Sequence, residues 1–161
     1  MTTVCNVYPI SDLEKSCSSE TAIQLYDRWR SAIDAGDRNF DALTPFSPEL
    51  LVLGHPGPHA PLSNLLFCGN KTMAANVFGS DWGIRASKER NAFSDDYSDV
   101  VSKSQAACFE SNEAIYDYIS TEVAGQSLAY ERLLLPIRTK GGLNLLMCHS
   151  MPLSVPRVAR S

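Results

Sequence analysis

The chain has no basic stripe, no apolar run of membrane-spanning length and no C-x-x-C pair, and each absence excludes something. Its 14 Lys and Arg are outnumbered by 18 Asp and Glu, for a net charge of −4, so it lacks the electrostatic footprint of a nucleic-acid binder. Arg157 and Arg160, in a short Pro-containing tail, are too few to change that. A membrane-spanning helix needs roughly 20 consecutive apolar residues, and nothing here approaches it. Met1 to Ser19 is polar, without the continuous apolar core of a secretory signal, so a cytoplasmic protein is expected. The five cysteines, Cys5, Cys17, Cys68, Cys108 and Cys148, are odd in number and widely spaced, which argues against a disulfide framework or a zinc cluster. Cys68, Cys108 and Cys148 sit in apolar segments and read as small buried hydrophobes.

What is present is the composition of an ordinary soluble domain, 44% hydrophobic and 20% charged, at a length that suits a single core. Residues 1–18 show no periodicity and are expected to be a flexible lead-in, with a second flexible tail at 153–161. A helix is predicted from Ser18 or Ser19 to Gly36, with Glu20 in its first turn. Ala22, Leu25, Tyr26, Trp29, Ala32 and Ile33 form its apolar side. Glu49 to Leu53 fits a strand or a helical turn. Pro56, Pro58 and Pro61, with Gly54 and Gly57, then force a loop.

Asn64 to Cys68 reads as a strand. A short helix should follow, capped by Asn70, with Met73, Ala74, Val77 and Phe78 on its apolar face and Gly79 at its end. Ser94-Asp-Asp offers a cap to a longer helix over about 95–110, with Tyr97, Val100, Val101, Ser104, Ala107 and Cys108 inward. Three strands are predicted last, about Ala114–Val123, Leu128–Arg138 and Leu143–Met151. Gly125 separates the first two, and Gly141-Gly142 closes a hairpin between the last. In the middle strand Leu133, Leu135 and Ile137 share one face, and Tyr130, Arg132 and Leu134 the other. Apolar groups on both faces predict a sheet covered on both sides, with the N-terminal helix as second cover.

The order strand, short helix, long helix, three antiparallel strands resembles a PAS domain. The segment Phe67 to Gly83, with Phe78-Gly79 closing its helix, and the strand Arg132-Leu-Leu-Leu-Pro-Ile137 are similar to a bacterial single-domain PAS subfamily. The resemblance covers roughly residues 20–150. It implies an α+β fold over 19–152: a five-stranded antiparallel sheet with helices on one face and an N-terminal flanking helix. The Pro-rich loop at 54–61 departs from the family pattern. Such modules serve bacterial signal transduction without chemistry of their own, as sensors or regulators that contact another protein, and they commonly form homodimers.

The expectation is therefore a regulatory module rather than an enzyme. An interface is expected through Tyr26, Trp29, Ile33, Tyr130 and Leu134. A pocket between sheet and helices is expected near Cys68, Met73, Val77, Phe78, Trp82, Val101, Cys108 and Tyr116, filled by these side chains or holding a small apolar ligand. An obligate small-molecule sensor is the alternative.

Metal and cofactor chemistry finds little support in the residues. His55 and His59 have the i, i+4 spacing of a zinc pair, but Pro56, Gly57 and Pro58 between them forbid the helix that would put both on one face. Haem-binding PAS domains use a histidine in or after the long helix, and none lies between His59 and His149. Cys68 in Phe-Cys-Gly-Asn does not match the flavin-reactive cysteine run of the fold's light sensors. No cofactor is expected. Asp117 and His149 are the residues an enzyme would have to use, and nothing in their spacing supports one.

Overall fold

A computed structural model of the chain describes residues 3–17, 19–37, 40–55, 64–79, 95–123 and 126–153. Along it lie β1 (Val4–Tyr8), a 3-10 turn (Ile10–Asp12), α1 (Leu13–Ser16), α2 (Glu20–Asp34) and a 3-10 segment (Asp41–Glu49). There follow β2 (Leu51–Gly54), β3 (Asn64–Cys68), α3 (Met73–Phe78), α4 (Asp95–Ser111), β4 (Ile115–Val123), β5 (Gln126–Arg138) and β6 (Asn144–Pro152). The fold is α+β, and the described strands form an antiparallel sheet in the order β1-β4-β5-β6-β2-β3. The sequence predicts five strands; the sheet has six. The additional strand is β1, which lies inside the supposed flexible lead-in and pairs with β4 from Val4 opposite Ser120 to Tyr8 opposite Tyr116. Five residues are too few for a period to register, and the partner that holds them lies far along the chain.

Local chemistry accounts for most of the boundaries. The Ser19 hydroxyl accepts the Ala22 N–H at 3.2 Å and caps α2, which ends where Gly36 turns left-handed. The cap of α3 is Thr72 and not Asn70, because the Thr72 Oγ1 accepts the Ala75 N–H at 3.1 Å. Just before it, Gly69 donates to the Leu50 carbonyl at 2.9 Å. A Cβ there would lie 2.3 Å from the Ser47 and Pro48 carbonyl oxygens, so only glycine lets the 3-10 segment and the end of β3 meet this closely. The β5–β6 hairpin closes through the Gly142 N–H on the Thr139 carbonyl at 3.0 Å; of the two turn glycines, Gly142 has the positive φ.

Alternation along β5 sends Leu133, Leu135 and Ile137 to one face, where Leu25, Trp29, Leu43 and Leu13 close over them. The N-terminal helix is thus the second cover, as the apolar pattern predicts. Trp29 is 3% exposed, and its indole N–H donates to the Pro136 carbonyl at 2.9 Å. This contact explains a proline inside a central strand. β4 begins at Ile115 opposite Leu134, so next to Pro136 no β4 residue needs its missing N–H, and the tryptophan satisfies its carbonyl. The opposite face carries Leu134, Leu146 and Cys148 under Cys108 and Phe109 of α4, with Ile119 and Tyr130 beneath Met73 of α3. On α4 the expected inward set is corrected in part: Ala107 is exposed, and Gln105 and Phe109 are buried with Ser104 and Cys108. Ser94 and Gly125 lie outside the described residues.

Candidate functional site

The face beneath α3 and α4 is where a ligand pocket is expected, and its centre is polar. Asp117 and Arg132 sit directly opposite each other on β4 and β5, 0% and 3% exposed. The guanidinium donates twice, Nε to Oδ1 at 2.9 Å and Nη2 to Oδ2 at 2.7 Å. This is the two-pronged geometry that makes Arg–carboxylate pairs strong. Burial opposes the charge on Arg132, but the Asp117 carboxylate outweighs it and holds the guanidinium well above its ordinary pKa.

Around the pair lie groups that share their hydrogen bonds locally. The Tyr97 and Tyr130 hydroxyls are 2.7 Å apart, joining α4 to β5, and the Thr3 and Thr121 hydroxyls, 2.8 Å apart, join the chain start to β4. The Thr3 N–H donates to the Asp96 carboxylate, a bond that lowers the pKa of this exposed acid. Cys5 Sγ lies 3.7 Å from both Asp117 Oδ2 and Ser104 Oγ.

Burial sets the reactivity of this layer. It raises the Cys5 thiol, with the Asp117 charge adding to the effect, and it raises Cys148. It pushes Cys108 up to about 12. Burial likewise raises both tyrosine hydroxyls. Thiols held protonated in this way are poor nucleophiles and poor metal ligands. The arrangement is a set of charges and hydroxyls paired with one another beneath α4 and the chain start.

The expected pocket residues are only partly brought together. Met73 and Val101 meet Tyr130 and Ile119, and Cys108 packs on Leu134 and Cys148. Cys68 is half-buried at the β2–β3 edge with its thiol 3.4 Å from the Thr72 hydroxyl, and Val77 is exposed. Tyr116 does not join this group. It is opposite Leu133, so its ring points to the α2 face, where it meets Tyr8 edge-on and its hydroxyl has no hydrogen-bond partner. Trp82 and the Phe78 side chain lie outside the described residues.

Of the expected interface residues, Tyr130 and Leu134 are buried under α4 and α3, and Trp29 is buried against β5. These three are corrected from interface to core, because both faces of β5 are covered within one chain. Tyr26, stacked on Trp29 at 5.9 Å, is half-buried, and Ile33 is exposed.

Asp117 and His149 cannot act together. Asp117 faces α4, whereas His149, opposite Leu133, faces α2, with Nδ1 3.0 Å from the Glu49 carbonyl and Nε2 3.5 Å from the Ser19 hydroxyl. His55 stacks edge-on against Phe109 at 4.8 Å, and its supposed partner His59 lies outside the described residues.

A second feature is one the sequence reading missed. A cleft of about 470 Å³ opens at the β5–β6 turn, lined by Ile33, Phe40, Asn112, Arg138, Lys140 and Asn144 among others. The size is that of a small-molecule site. Left-handed backbone converges on it: Gly36, Phe40, Asn112 and Gly142 all line it with positive φ. For Phe40 and Asn112, which carry side chains, that conformation costs of order 1–3 kcal/mol each. No motif marks the cleft, because its residues come from the ends of α2, α4 and β5 and meet only in the folded chain.

Comparison with protein-family models, with curated proteins and with solved structures finds no match to this chain.

Proposed function

We propose that the chain is a regulatory module of the PAS type that works through contact with a partner protein rather than through chemistry of its own. One observation carries this reading. Beneath α4, where a ligand or a reactive group is expected, the Asp117–Arg132 pair and the hydroxyls and thiol beside it are engaged with one another. Groups satisfied by one another in this way support a reading in which the surface makes the functional contact. Taken without β1, the strands β4-β5-β6-β2-β3 make a five-stranded antiparallel sheet under helices, which supports the PAS resemblance.

The surface most suited to a partner is β3, which ends the sheet and exposes Leu66 and Phe67 at 60% and 45%. An edge strand with apolar side chains can accept a further strand from another chain. A homodimer formed through Trp29, Tyr130 and Leu134 would have to expose core, so a second copy has Tyr26 and Ile33 left to meet. The test is affinity capture from the native host, followed by reconstitution with the purified partner. Wild-type protein should retain a partner that a Leu66→Lys, Phe67→Lys variant loses. Equal retention by the folded variant, or no partner at all, rejects the reading.

A further inference from the structure

We propose that the cleft at the β5–β6 turn binds a small organic anion with an apolar body, its carboxylate held between Arg138 and Lys140 and its body laid on Ile33 and Phe40. The charge of the lining favours an anion: among the described residues Arg138 and Lys140 are its cations and Asp37 its acid. Asn112 and Asn144 add amide donors at the rim. α2 ends here, and its carbonyl end would by itself favour a cation. The Ser31, Ala32 and Ile33 carbonyls are already engaged by the Ala35, Asp37 and Gly36 N–H groups, however, so they present no open row of acceptors to the cleft.

The apolar side is equally specific. Ile33 is 40% exposed although it lies on the apolar stripe of α2, and Phe40, held left-handed and 4% exposed, brings the edge of the core into the lining. A small ligand with a flat or branched apolar body would cover Ile33. Strained backbone at two lining residues, Phe40 and Asn112, is of the kind that clusters at ligand sites. This site is separate from the layer under α3 and α4 and takes a different chemistry from an apolar core ligand. Its test involves no partner protein, so it stands or falls apart from the contact reading.

The experiment is a titration of the ¹⁵N-labelled full chain with phenylacetate, followed by amide shifts. Saturable movement is expected at Gly36, Asn112, Gly142 and Asn144, with Val101 and Cys108 unmoved. Replacing both cations (Arg138→Ala with Lys140→Ala) should weaken binding by about tenfold or more, since bonds to a charged group are lost. Lys140→Glu, at an exposed turn position, gives the same direction should the double variant fold poorly. Phenethylamine, the same body with a cation in place of the carboxylate, should not compete. Absence of saturable shifts, unchanged affinity in the folded variants, or equal binding of phenethylamine overturns the proposal.

Discussion

On the α2 side of the sheet, Leu133, Leu135, Ile137 and Met151 lie under Leu25, Trp29 and Leu43, and Glu131 is a buried acid on the same face of β5. On the α4 side, β4, β5 and β6 carry Asp117, Arg132, Tyr130 and Cys148 beneath Tyr97, Ser104 and Cys108. One face is held chiefly by burial of apolar area, which tolerates small adjustments of position. The other depends on paired polar groups, each of which costs stability when its partner is removed. A sheet covered twice can therefore divide its tasks: one face supplies bulk adhesion, and the other restricts register.

The sharpest way to break the contrast is Asp117→Ala. It leaves Arg132 charged and buried without its carboxylate and should cost about 3–5 kcal/mol in urea unfolding. The double replacement Asp117→Leu with Arg132→Met should recover most of that loss, since an apolar pair of similar volume needs no partner. Should the single variant unfold like wild type, the pair is not the organising contact of its face.

On the other face Trp29→Phe keeps the ring but removes the donor to Pro136, and a buried carbonyl left unsatisfied costs about 1–3 kcal/mol. A loss as large as that of Asp117→Ala would erase the distinction between faces.

The smallest effect expected comes from alkaline pH. Cys108 has its folded pKa raised from the ordinary 9.0 to about 12, so the folded state holds its proton more tightly than the unfolded one. The stability this contributes is complete below pH 9 and is lost as pH rises toward 12. Between pH 9 and pH 10 the fall should be about 1 kcal/mol from this group, with Cys148 and the tyrosines adding in the same direction. Cys108→Ala should remove one proton's share of the slope; an unchanged slope would show that the thiol titrates normally.

Much of the fold is legible in short stretches of sequence. Ser19 and Gly36 bound α2, Gly79 ends α3, and the alternation of Leu133, Leu135 and Ile137 against Tyr130, Arg132 and Leu134 states that β5 is buried on both sides. What fails does so where one residue decides a face or a cap. Tyr116, grouped with the α4 layer on sequence, is one position away from Asp117 and so belongs to the α2 layer. Asn70 and Thr72 are both good caps, and the choice goes to Thr72, whose hydroxyl also donates to the Gly69 carbonyl at 2.8 Å.

Hydrophobic period and turn chemistry act over a few residues, and by themselves they specify α2, α3 and α4, four of the strands and the double cover of β5, while α1, inside the supposed flexible lead-in, and β2, left open between strand and helical turn, escape them. Three features depend on contacts between distant positions: β1 as a sixth strand, the Asp117–Arg132 pair, and the cleft joining Ile33 to Arg138. Register places an acid opposite a base only once β4 and β5 are aligned, and left-handed backbone gathers at one end of the sheet only once three element ends meet there. The physical reason is range, since propensity is local while charge pairing and cavity shape belong to the assembled chain.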